Sequence, residues 1–427
     1  MNLAPLPRSF RGLAACALLA GGASLRGQGS VPARHFLITD FGAVAGGKTL
    51  DTAAIQRTID QAAAAGGGVV EVPKGTFLTG SVFLKPGVEL YLDEGGVLFG
   101  SDRIEDYPKR VTRIEGHFEP WRMALVNAQE MDRVRIGGKG RLDGNGFLFW
   151  AAFWQRRHEN PACTNLEVER PRLLFIDRCR DVKVSGIRLL DSGFWNLHLY
   201  KCRGVEIEGL DIKAPTAGPI LGPSTDGIDV DSCQDVAIRG CRISVNDDDV
   251  ALKGSKGPTA DQDADSPPVE NIRIEDCEIV DGNGITCGSE ATVVRQVLIR
   301  HCRVTGKANF LTLKLRPDTP QDYEDITAED IELDGGGRLL NVAPWRQFFN
   351  LAGHAPPTQK ISHVVLRDVR GSFRAFGVLQ GNPGDTLSGI VLENVHLTLA
   401  DPTLRAGPGV GLVFRDVTVN GRPAAAP

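Results

Sequence analysis

Three aspartates carry the strongest chemical signal in the sequence. Asp226 lies in Ser224-Thr225-Asp226-Gly227-Ile228-Asp229, and Asp247 and Asp248 lie in Asn246-Asp247-Asp248-Asp249-Val250-Ala251-Leu252-Lys253. Crowded carboxyl groups divide acid and base work, because mutual repulsion raises at least one pKa and keeps that group protonated. Cleavage of a glycosidic bond asks for that division: one carboxylic acid protonates the departing oxygen while a second carboxylate acts as base or nucleophile. The run Asp247-Asp248-Asp249 alone also suits a calcium site or a solvated acidic loop. Asp226, at the matching position of the preceding repeat, shifts the reading towards catalysis.

The match comes from a recurring short strand. Ile228 and Val230 align with Val250 and Leu252, then with Ile285 and Cys287, then with Leu311 and Leu313. This places Asp226, Asp248, Asn283 and Asn309 in one column, with Asp247 just before it. Strict alternation would turn that column inward, where unpaired carboxylates cost far too much. The column is therefore expected in the turn before each strand, facing solvent or a cleft. With Leu311, Leu313 and Leu315 inward, Thr312, Lys314 and Arg316 face outward, and Lys253 shares the column of Lys314. A lysine and an arginine beside the acids can pair with sugar carboxylates, the arginine through two parallel hydrogen bonds. The expected site is thus Asp226, Asp247 and Asp248 for catalysis, and Lys253, Asn283, Lys314 and Arg316 for substrate binding.

The elements that position these residues are repeats. A template of four apolar positions appears at Val182, Val184, Ile187 and Leu189, and again at Val205, Ile207, Leu210 and Ile212. It returns at Val236, Ile238, Cys241 and Ile243, at Ile272, Ile274, Cys277 and Ile279, and at Val297, Ile299, Cys302 and Val304. Later copies start at Ile326, Val364, Ile390 and Leu412, so the period is about 22 to 38 residues. Each copy reads as two short strands joined by a polar bend. No copy buries its apolar side alone, but rungs stacked about 4.8 Å apart do. The expectation is an all-β, right-handed parallel β-helix forming a single domain over residues 35–427; a β-sandwich or propeller is the alternative. An N-terminal capping segment, about residues 35–100, covers the open end. Its lid is a helix capped by Asp51-Thr52 and running to about Ala65, with Ile55, Ile59 and Ala62 on one face.

Cys179, Cys202 and Cys233 sit three residues before a template, and Cys241, Cys277 and Cys302 occupy its third position. Stacked thiols of one phase could approach bonding distance, but the simpler reading is that of small buried hydrophobes. Trp195, one rung before Asp226, could stack on a sugar. Trp121, Trp150, Trp154 and Trp345 fall outside the template, as packing or subsite residues. His198 is expected on the outer surface. Four segments lack the repeat: 103–116, 145–171, 257–268 and 345–357.

The N-terminus reads as an export signal over residues 1–28: Arg8 and Arg11 precede an apolar run, Gly12 to Ala23, too short to span a bilayer. An exported protein, periplasmic or secreted, with no membrane span is expected. The net charge of −5, without a basic block, disfavours nucleic acid as a partner.

These motifs resemble the family-28 glycoside hydrolases, the polygalacturonases. Residues 224–229 look like that family's Asn-Thr-Asp-Gly-x-Asp motif, and 246–253 like its paired-aspartate motif. Asp40-Phe41-Gly42-Ala43-Val44 and Gly66-Gly67-Gly68-Val69-Val70-Glu71-Val72-Pro73 match its N-terminal style. The resemblance implies Asp247 as general acid, with Asp226 and Asp248 holding and activating water. It implies inversion, no cofactor, no metal, and pectin, an acidic plant polysaccharide, as partner. Inversion usually goes with carboxyls ~6.5–9.5 Å apart, and acids on adjacent rungs could sit closer. Three departures stand out. Ser224 replaces an asparagine, Gly282-Asn283-Gly284 replaces Gly-His-Gly, and Lys314-Leu315-Arg316 exchanges the two cations of Arg-x-Lys. They point to a rhamnogalacturonan, a decorated pectin or a short galacturonide beside plain polygalacturonan. Gly288-Ser289-Glu290 resembles a stretch of exo-acting bacterial members. Two rivals share the fold: a pectate lyase eliminating with Lys253, Lys314 or Arg316 as base, and a non-catalytic glycan-binding β-helix.

Overall fold

Each template folds as the two strands its alternation requires. Arg180–Ser185 is followed by Arg188–Leu190, Arg203–Glu208 by Asp211–Lys213, and Gln234–Arg239 by Arg242–Ser244. The bend between them falls on one backbone position, occupied by Gly186, Gly209, Gly240, Asp276 and His301, all with positive φ. Glycine adopts that conformation without steric cost, and a short polar residue tolerates it. Copies then stack in register: Val182 pairs with Val205, Val205 with Val236, Val236 with Ile272, and Ile272 with Val297. All five are buried, and each such side chain contributes about 1.5–3 kcal/mol of apolar burial.

The computed structural model describes residues 34–427. The expected export signal lies outside the described residues. Thirty-one strands join in one sheet, every pairing parallel until Leu412–Val419 meets Arg422–Pro423 antiparallel. This is the right-handed parallel β-helix, and parallel stacking removes the sandwich and propeller alternatives. Residues Arg34–Pro427 form one compact unit. No helix of the described residues is long and apolar enough to cross a membrane.

A third strand closes each rung and carries the site. These are β1 (Ile228–Asp231), β2 (Val250–Lys253), β3 (Ile285–Cys287) and β4 (Leu311–Leu315). They pair in parallel, with Ile228, Val250, Ile285 and Leu311 in line.

The helix α1 (Thr52–Ala64) buries Ile55, Ile59 and Ala62 in the core with Val70 and Leu90. One detail differs from expectation. Asp51 stands at the N-cap position, but its carboxylate makes no capping bond and accepts from the Val44 amide at 2.9 Å instead. The eight described cysteines are free and buried, as small hydrophobes are.

The segments without repeats fold over the outer face of the third strands. Lys109–Ile114 and His117–Arg122 form an antiparallel hairpin, and α2 spans Phe147–Glu159. The hairpin is pinned through Arg113, whose Nε donates to Asp231 of β1 at 3.0 Å, and through Trp121, packed on Phe194 and Trp195.

Candidate active site

Asp226 and Asp248 sit two residues before β1 and β2, in the turns where the cost of burial placed them. One oxygen from each of Asp226, Asp247 and Asp248 lies within 4.8 Å of the others. The carboxylates are not solvated, however: Asp226 is 3 % exposed and Asp248 1 %. They form the floor of a pocket walled by Glu115 of the hairpin, Asn165 and Trp345 to Phe348.

Each acid has its own partners. Lys314 Nζ donates to both oxygens of Asp248, at 2.9 and 2.7 Å, and Thr286 Oγ1 adds a third bond at 3.0 Å. Lys253 Nζ lies 3.2 Å from Asp226 and 3.5 Å from Asp229. Each ammonium is covered by an indole face, Lys253 by Trp195 and Lys314 by Trp345, in cation–π contacts. Among the described residues, Asp247 makes no ion pair. Its Oδ1 accepts from the Asp248 amide at 3.0 Å and from Asn283 Nδ2 at 3.2 Å.

These surroundings push the acids apart. Burial, then the charges of Asp226 and Asp248, drive Asp247 up to about 8. Burial raises Asp226 as well, with Lys253 pulling it back. Asp229 is raised well above the usual range by burial and by Asp226. Burial opposes the charge on Lys314, yet Asp248 and Asp247 hold its pKa above normal. At neutral pH, Asp247 is therefore a protonated acid.

The sequence profile described as "Glycosyl hydrolases family 28" matches residues 70–406. The chain belongs to glycosyl hydrolases family 28. A second profile, "Rhamnogalacturonase A/epimerase, pectate lyase-like", matches residues 36–94 of this family-28 protein. A "Probable polygalacturonase" of Vitis vinifera is 33% identical over 227 residues, 51% of this chain and 43% of the relative, so the match spans less than half of that protein. An "Exopolygalacturonase" of Zea mays is 27% identical over 321 residues, covering 71% of this chain and 69% of the relative. Among solved structures, an exopolygalacturonase from Thermotoga maritima superposes with TM-score 0.76 at 23% identity, covering 92% of this chain and 93% of that one. The Yersinia enterocolitica family 28 exopolygalacturonase gives 0.72 at 18% identity, covering 92% and 79%. At those identities the structures show a shared fold.

In this family-28 chain, the expected residues distribute as follows. Asp226, Asp247, Asp248, Lys253, Lys314 and Arg316 all line the pocket, and Asn283 reaches it through Asp247. Arg316 is largely committed elsewhere. Its Nε and Nη2 make a fork on Asp318, both at 2.9 Å, while Nη1 and Nη2 donate to the carbonyls of Gln347 and Phe348 at 3.2 Å. It thereby straps the wall carrying Trp345 to the rungs. Ser224 is held by a bond from Arg170 Nη2 at 3.3 Å. Gly282 is required beside Asn283: its φ is +126° and a Cβ would meet Asp249 Oδ2 at 2.5 Å.

His198 does lie on the outer side of its strand, but under the hairpin and fully buried. It bonds Arg172 at 2.7 Å and lies 3.4 Å from Asp231, and burial drives its pKa down to about 3. A neutral histidine there supports the hairpin. Pocket residues absent from the expected set include Glu115, Asn165, Lys256, Glu290, Gln347 and Phe348. Glu290 had a local signal, in Gly288-Ser289-Glu290; Glu115, Asn165, Gln347 and Phe348 come from segments with no repeat, and Lys256 lies at the edge of one.

Proposed function

We propose that this chain hydrolyses α-linked galacturonic-acid-containing pectin by acid-assisted attack of water, releasing sugar from a chain end. The carrying observation is the asymmetry around Asp247. Two donors occupy its Oδ1, so the proton of this raised acid resides on Oδ2, free to protonate the glycosidic oxygen. Water held between Asp226 and Asp248 attacks the anomeric carbon as that bond breaks. Its proton passes to the Asp226 carboxylate, since both oxygens of Asp248 are engaged by Lys314.

Inversion is part of the proposal. The three carboxylates lie closer than the ~6.5–9.5 Å usual for inverting pairs. Yet a retaining route needs a free carboxylate nucleophile, and both candidates carry an ammonium partner. Pairing weakens both as nucleophiles, while Asp226, met by Lys253 at Oδ2, keeps Oδ1 to accept from a water. The walls built by the hairpin, Asn165 and Trp345 to Phe348 suit one terminal sugar better than a continuous polymer, which supports exo-action. Lys256 supplies a cation for its carboxylate. A polymeric substrate also fits an exported protein, periplasmic or secreted.

Three carboxylates so close could instead hold calcium for a lyase. Lys253 and Lys314 argue against it, because their ammonium groups already neutralise Asp226 and Asp248 and repel a second cation. Incubation with polygalacturonate, rhamnogalacturonan and short galacturonides in the presence of chelator, with products resolved by mass, tests the reading. Saturated monomer supports it. Unsaturated products lost with chelator overturn it.

A further inference from the structure

Glu290 is the pocket residue whose presence is hardest to reconcile with an acidic substrate. Its side chain is buried and lines the pocket beside the catalytic acids. Among the described residues, Oε1 accepts from Ser289 Oγ at 2.9 Å, while Oε2 lies 3.6 Å from Lys253 Nζ, beyond hydrogen-bond distance. Burial opposes its charge, but Lys253, Lys256 and Arg316 hold its pKa well below the usual range. It is therefore ionised, and an ionised carboxylate accepts hydrogen bonds and donates none.

Its position relative to the acids gives this a meaning. Lys253 Nζ stands 3.2 Å from Asp226 and 3.6 Å from Glu290, so a single ammonium spans the gap between them. A sugar ring lying along this lining with its anomeric carbon at Asp226 and Asp247 would carry its opposite edge, the one bearing O4, to Glu290. At a chain end O4 is a hydroxyl and donates. Within a chain O4 is a glycosidic oxygen with no hydrogen, and it leaves the buried carboxylate facing another acceptor.

We propose that Glu290 is a specificity-determining residue that recognises the free 4-hydroxyl of the non-reducing terminal sugar. The assignment rests on the hydrolase reading above and supplies its end-selectivity through chemistry as well as through walls. A site built around a substrate hydroxyl rejects an analogue lacking it far more strongly than an apolar pocket rejects a missing methylene.

The test compares saturated trigalacturonide with the unsaturated trigalacturonide left by lyase cleavage, whose terminal ring has lost O4. The wild-type protein should show kcat/KM at least about 100-fold lower on the unsaturated compound. Glu290→Gln should lose more activity on the saturated compound than on the unsaturated one, collapsing the ratio to within about tenfold. Equal wild-type efficiencies on the two compounds overturn the proposal, whether or not the variant folds. A ratio unchanged in a folded Glu290→Gln overturns it while leaving the hydrolase reading intact. Failure of the wild type on both compounds overturns the two together.

Discussion

Lys314 and Asp248 form a closed pair: one ammonium 2.7 and 2.9 Å from the two oxygens of one carboxylate, both side chains buried. The sequence places Lys314 among substrate contacts, whereas the geometry makes it first the counter-ion of the Asp248 carboxylate. Removing one member of such a pair leaves an uncompensated buried charge. Lys314→Met should therefore lower kcat by about 100-fold or more, not only raise KM. Steady-state kinetics on trigalacturonide separate the two constants. A change confined to KM would return Lys314 to a purely substrate-binding role.

Asp247→Asn should cost about 10²–10⁴-fold in kcat while leaving the circular dichroism spectrum unchanged. Because the acid must be protonated, wild-type activity should fall as pH rises through about 8. A rate that holds constant well above that pH would remove Asp247 as the acid.

Stability should follow the same proton. Asp247 is raised from 3.8 to about 8, so between those values the folded protein binds more protons than the unfolded chain. Its contribution therefore becomes steadily less favourable as pH rises through that window. Asparagine has no such dependence. The Tm advantage of Asp247→Asn over wild type should grow between about pH 5 and about pH 8. An advantage that shrinks over the range would contradict the raised acid.

Arg316→Lys tests the strap on the Trp345 wall. Lysine cannot reproduce a fork on Asp318 together with bonds to two carbonyls. The variant should raise KM by about tenfold and speed proteolytic cleavage within residues 345–357, with kcat less affected. Unchanged cleavage would show that the wall is held by other contacts.

The stereochemical course is checked by following the first product by proton NMR before it mutarotates. From an α-linkage the β-anomer should appear first. Initial α-anomer would mean that one of the paired carboxylates attacks directly, as their short separation would allow.

The repeat was legible because its information is local. Valine and isoleucine alternate in each copy, and the register of Ile228, Val250, Ile285 and Leu311 follows from aligning them. That register alone brings Asp226 and Asp248 together. What stayed hidden came from long-range placement. Glu115 and Asn165 reach the pocket only because the hairpin and the segment after α2 fold over the third strands, and no periodicity encodes that. The commitment of Arg316 to Asp318 and two carbonyls, and of Asp51 to the Val44 amide, was hidden for the same reason: a residue's type does not name its partner.

Heavy-oxygen water distinguishes attack by water, with Asp247 as acid, from elimination. Polygalacturonate is digested in that solvent with chelator present, and the earliest products are weighed by mass spectrometry. Saturated monomer carrying one heavy oxygen is expected, with the signal lost in Asp247→Asn. Unsaturated products without the label would contradict it and transfer the three aspartates to elimination chemistry.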